Sequence, residues 1–166
     1  MRWGTSTVPT HSCDLRGIKE NRMDWKWKVD IYIKTDNKCL AKKKRWISYV
    51  LGTTVCGELK TIEYFGTVEE TLQGAQLMAI NAALKRMNRP AGIVIHVESS
   101  FIVNMFKNHM AEWAAGGWQS PLHNKEEWKQ LYTYSQLHQI TFDTEPHVYS
   151  AWQLDQMNRR AKTREL

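Results

Sequence analysis

The hydrophobic pattern changes period several times along the chain, and each change marks an element. Residues 25–35 alternate strictly. Trp25, Trp27, Val29, Ile31 and Ile33 fall on one face, while Lys26, Lys28, Asp30, Tyr32 and Lys34 fall on the other. A period of two predicts a half-buried strand. Asp36-Asn37-Lys38 is turn chemistry. The β-branched and aromatic run at 46–55 predicts a second strand, and 57–65 a third. Short connections make the three an antiparallel meander.

Beyond residue 67 the period lengthens to that of a helix. Leu72, Ala75, Met78, Ala79, Ala82 and Ala83 recur at helical spacing. Glu69 and Glu70 stand early and Lys85 and Arg86 late, as the helix dipole favours. Asn88-Arg89-Pro90 stops this helix. A short apolar strand at 92–97 delivers Glu98 to its tip, and a serine then caps a helix that runs to about His109. Residues 112–120 read as a short helix, a break and a loop. Residues 125–139 predict a helix with Trp128, Leu131, Tyr132, Ser135 and Leu137 inward. A fifth strand at 140–144 and a last helix at 147–160 complete the order β-β-β-α-β-α-α-β-α. That order predicts an α/β fold: a five-stranded mixed sheet, three antiparallel strands followed by β-α alternation, with helices on both faces. Residues 1–24 are polar and aperiodic and read as an irregular or disordered lead-in, 25–162 as the domain, and 163–166 as a tail.

The 166 residues, 42% hydrophobic and 24% charged, suit one domain. No apolar run approaches the ~20 residues of a membrane span, and no signal-peptide core is visible. Cys13, Cys39 and Cys56 lack metal-site spacing and are expected to be free thiols, with a cytoplasmic location. The net charge of +6 permits a polyanion partner. Lys42, Lys43, Lys44 and Arg45 form a compact positive cluster, readable as a solvated loop or as phosphate contacts. Eight tryptophans are readable as packing or as base-stacking groups.

Several local strings go further. Gln76-Leu77-Met78-Ala79 leads through the next strand to Glu98-Ser99. Trp113, Gly117-Trp118, Pro121, Asn124 and Trp128 follow at characteristic spacings, and residues 136–140 lead into the last strand. From residue 28 to about 162 the chain resembles the ribonuclease H family. The resemblance is closer still to short ribonuclease H-like proteins of bacterial mobile elements, through His147, Tyr149 and Trp152.

The resemblance implies a cluster of four carboxylates holding two Mg²⁺ or Mn²⁺ ions about 4 Å apart. Glu98 stands at the third acid's position and Asp155 matches the fourth. The first falls on Lys34 by gapless extension and on Asp36 after a two-residue slip; strand phase favours Lys34. The second falls on Gln76, a neutral amide. His147 stands where the family carries a mobile histidine. Trp113, Trp118 and the 42–45 cluster are the candidate nucleic-acid contacts. The basic handle of the family is replaced by neutral Ala114-Ala115-Gly116-Gly117. Three readings follow. The first is a nucleic-acid-binding protein, for RNA/DNA hybrid or another polyanion, with impaired or absent catalysis. The second is an active endonuclease using Asp36, Glu98 and Asp155 with its metal. The third is a protein-interaction module anchored on Trp113, Trp118 and Trp152.

Overall fold

Strand β1 (Lys28–Thr35) lies at the centre of the sheet in the computed structural model, which describes residues 25–165. Its alternation is realised: Trp27, Val29, Ile31 and Ile33 are buried in the core. β2 (Lys43–Val55) pairs antiparallel with β1, and β3 (Glu58–Glu70) antiparallel with β2. β4 (Gly92–His96) and β5 (Gln139–Asp143) continue on the other side, each parallel to its neighbour, giving the order β3-β2-β1-β4-β5. The expectations for residues 1–24 lie outside the described residues.

The helices are α1 (Leu72–Lys85), α2 (Ser100–Asn108), α3 (Met110–Ala115), α4 (Lys125–Leu137) and α5 (Ser150–Glu165). Helix α1 starts later than its sequence pattern predicts. Glu69 and Glu70 belong to β3, held in register opposite Lys44 and Lys43. Thr71 caps α1 instead, its hydroxyl accepting from the Gly74 N–H at 3.1 Å. The inward face is also rotated: Leu77, Ile80 and Leu84 are buried with Ala75, Ala79 and Ala83. Gly74 allows close packing: a Cβ there would stand 2.6 Å from Glu70 Cγ and 2.8 Å from Asn124 Oδ1, so both side chains would have to shift. Helix α5 begins at Ser150 and continues past residue 162 to Glu165. Among the described residues no helix is long and apolar enough to cross a membrane. Cys39 is free, whereas Cys56 is disulfide-bonded, against the expectation of three free thiols.

The positive cluster divides in two. Lys42, Lys43 and Lys44 are exposed. Arg45 is only 1% exposed and spends its donors inward. Its Nε donates to the Glu70 carbonyl, one terminal nitrogen to the Asn37 carbonyl and Asn37 Oδ1, and the other to the carbonyls of Cys39 and Ala41, at 2.7–3.4 Å. The guanidinium therefore clamps the β1–β2 loop to the end of β3. This corrects its assignment as a nucleic-acid contact: strand alternation sends it inward with Ile47, Tyr49 and Leu51. Alanine at Lys42, Lys43 and Lys44 together is expected to change stability by less than about 0.5 kcal/mol per site in urea unfolding.

Candidate functional site

Strand β4 ends at His96, and Val97 carries the chain to Glu98. Ser99 then caps α2, its Oγ accepting from the Ile102 N–H at 3.2 Å. This tight strand-to-helix junction fixes Glu98 beside the end of β1. Lys34 is on β1, and its Nζ stands 3.5 Å from Glu98 Oε2; the two side chains are 16% and 28% exposed. Gln76 reaches the same place from α1. Ile33, Lys34, Thr35, Lys38, Leu72, Gln76 and Glu98 line one pocket of about 130 Å³. From α5, Ser150 Oγ donates to Glu98 Oε2 at 3.4 Å. Gln76 is 6% exposed, and its buried carbonyl oxygen has no hydrogen-bond partner.

Of the two candidates for the first acidic position, Lys34 faces Glu98. Asp36 does not line the pocket: its backbone N–H donates to the Trp46 carbonyl, and its carboxylate accepts from Asn37 Nδ2 at 3.0 Å within the turn. Asp155 is also elsewhere. Gln153 and Met157 are the buried face of α5. At 3.6 residues per turn, position 155 is rotated roughly 160–200° from both. It is exposed and pairs with Arg159 at 2.8 Å. The α5 residue that meets Glu98 is Ser150. Sequence alone does not find it, because the resemblance asks for an acid near the start of the last helix and Asp155 is the first acid of α5.

His147 lies beside this cluster. Its Nε2–H donates to the Ile33 carbonyl at 3.1 Å, its ring packs at 5.2 Å from Tyr32, and its Nδ1 is buried without a partner. Burial above all holds it below its ordinary value of 6.5. The nearby His96 and Lys34 charges act in the same direction, while the Ile33 hydrogen bond and Glu98 oppose it. Burial also lowers His138, whose Nδ1 accepts the Ala91 N–H at 3.1 Å. Both rings stay neutral at pH values where the unfolded chain's histidines already bind protons. The unfolded state then holds more protons, so stability is fully present above about pH 6.5 and falls as the pH drops below it. The urea midpoint is expected to decline from pH 7 to pH 5, and to decline less in His138→Gln.

The two tryptophans assigned to nucleic acid are half-buried. Trp113 packs against Trp128 (5.5 Å), Trp118 (6.4 Å) and His109 (6.0 Å), and Trp118 against Tyr132 (6.0 Å). Trp152, 37% exposed, stands against Phe65 and Tyr149.

Hard divalent ions take carboxylate oxygens. This pocket offers one carboxylate, an amide, a hydroxyl and an ammonium. Among the described residues no group of three or more His, Cys, Asp or Glu side chains could hold a metal ion. The donor set does not fit a two-metal cluster.

The family model described as RNase H matches residues 28–150. The chain belongs to the RNase H family. Among curated relatives, Ribonuclease H of Prosthecochloris aestuarii is 32% identical over 72 residues, covering 40% of this chain and 49% of that one. The chain spans about half the length of these curated relatives. Among solved structures, LC9-RNase H1, a type 1 RNase H with the type 2 active-site motif, superimposes with a TM-score of 0.61 at 16% identity, covering 80% of this chain and 69% of that chain. The foamy viral protease-reverse transcriptase in complex with RNA/DNA hybrid superimposes at 0.56 and 16% identity, covering 79% of this chain and 19% of that one. At these identities the structural likeness establishes the fold: this is an RNase H-like sheet with its helices.

Proposed function

We propose that this RNase H-family chain binds nucleic acid and has impaired or lost metal-dependent cleavage. One observation carries the second half: Lys34, Gln76 and Ser150 surround Glu98 where the family's chemistry needs carboxylates. A single carboxylate facing an ammonium neither concentrates divalent cations nor orders two of them. The first half rests on family membership, on the RNA/DNA hybrid held by the foamy viral relative, and on charge. Lys42, Lys43 and Lys44 are free to meet phosphates. A shallow groove of about 630 Å³ between β3 and α5 adds Arg159 and Arg160 beside Trp46 and Phe65, with Glu63 at its rim. RNA/DNA hybrid is the first polyanion to test. Of the anchors of an interaction module, Trp152 alone is well exposed, which leaves that reading the weaker one.

The experiment incubates hybrid with the protein and Mg²⁺ or Mn²⁺, and titrates binding against salt. The expected result is binding that weakens linearly on a log–log salt plot, with no cleavage above that of Glu98→Ala. Replacing Lys42, Lys43 and Lys44 together by alanine is expected to reduce the slope by about 2–3. Metal-dependent cleavage that disappears in Glu98→Ala would restore the enzyme reading. Absence of affinity for hybrid, duplex and single strand at low salt would end the binding reading.

A further inference from the structure

The pocket beside Glu98 already contains its positive charge. Lys34 and Lys38 outnumber Glu98 among the lining residues. Glu98 is the only carboxylate paired with the Lys34 ammonium among the described residues, and it stands 3.5 Å to one side. An ammonium has three donors, so this contact leaves donors for a second anion. A divalent ion seated on Glu98 would lie against that ammonium and be repelled by it. At about 130 Å³ the space is well below the ~300 Å³ of an ordinary small-molecule pocket, and suits one phosphate group rather than a nucleotide.

We infer that the Lys34 ammonium is the resident cation of this site: it stands in for the divalent metal and receives one backbone phosphate of a bound strand, with Lys38 and Thr35 at the rim. The phosphate contact rests on the nucleic-acid reading above; the exclusion of metal does not. Salt-bridge exchange at Lys34 involves no bond breaking, so the site positions a strand without turning it over.

Two measurements on the full chain test this. In the first, Mn²⁺ is titrated and the free ion followed by electron paramagnetic resonance. The wild type is expected to show no saturable site below about 1 mM. The double variant Lys34→Asp with Gln76→Glu is expected to gain one, because it presents three carboxylates to the pocket. In the second, hybrid binding is followed by anisotropy at constant ionic strength, with EDTA or with Mg²⁺. Wild-type affinity is expected to be equal in the two. Lys34→Met is expected to weaken it about three- to tenfold and to lower the salt slope by about one, with Lys34→Arg retaining most of the affinity. Circular dichroism confirms that each variant is folded. A saturable wild-type Mn²⁺ site, a Mg²⁺-dependent affinity, or a Lys34→Met variant with unchanged affinity and slope would each overturn the inference. Failure of the wild type to bind any nucleic acid would remove the function proposed above and the phosphate contact with it. The Mn²⁺ titration would still decide whether Lys34 replaces the metal.

Discussion

Arg45→Met is expected to lower the unfolding free energy by about 3–5 kcal/mol, read as a shift in the urea midpoint with little change in slope. Methionine keeps much of the side-chain volume, so the loss isolates the hydrogen bonds. Arg45 satisfies the carbonyls of Asn37, Cys39, Ala41 and Glu70 and the Asn37 side-chain oxygen together. Without the guanidinium these acceptors must find water, or remain unpaired at about 1–3 kcal/mol each. Partial hydration of the loop explains why the expected total is below their sum. Arg45→Lys is expected to recover little, because one ammonium cannot span acceptors arranged around a planar fork. The effect also reaches the pocket: Lys38 is in the clamped loop, and the Leu72 N–H donates to the Leu40 carbonyl.

Trp128→Ala is expected to cost about 3–5 kcal/mol, in the range of large aromatic truncations in cores. Trp128 is 3% exposed and is the inward member of the Trp113–Trp118–Tyr132 group. It also sits where α4 meets α1: Asn81 Nδ2 donates to the Glu127 carbonyl at 3.0 Å. Its removal leaves Trp113 without the ring it packs edge-on. Trp128→Phe keeps part of that contact and is expected to lose roughly half as much. Calorimetry or urea unfolding of the two variants checks the ratio. The same packing argues that Trp113→Ala acts on stability before it acts on any ligand.

Much of this architecture was legible in the chain. The β1 alternation is unambiguous because one face is apolar and the other charged. Glu98 and its serine cap were readable from an apolar run that ends abruptly in polar residues. Strand phase favoured Lys34 over Asp36 without deciding between them; the pairing of Lys34 with Glu98 in the folded chain does so. The α1 phase was less legible. Alanines surround that helix, so small residues occur at inward and outward positions alike, and the larger Leu77, Ile80 and Leu84 set the rotation through packing. Glu69 and Glu70 suit a helix start by charge, but strand pairing with β2 outweighs a dipole preference of less than about 1 kcal/mol. Asp155 illustrates another limit. A position near the start of a helix carries no rotational information, and the anchors that orient α5, Gln153 on the Tyr32 carbonyl and Ser48 Oγ, lie in distant parts of the chain. Arg45 was hidden by its company, because four consecutive basic residues read as one solvated run while alternation sends a single member inward.

The separation in sequence between partners sets an order of assembly. Every acceptor of Arg45 lies within 25 positions of it. Closing those loops costs little entropy, so the β1–β3 meander and its clamp can form early. The contacts of α5 and of the segment just before it with β1 reach back 121 and 114 positions, through Gln153 to Tyr32 and His147 to Ile33. The pocket around Glu98 draws on both sets and is therefore completed last. In stopped-flow chevrons, Arg45→Met is expected to slow refolding, whereas Gln153→Leu is expected mainly to speed unfolding. The pocket's charge arrangement thus belongs to the fully folded chain and to no earlier species on the way to it.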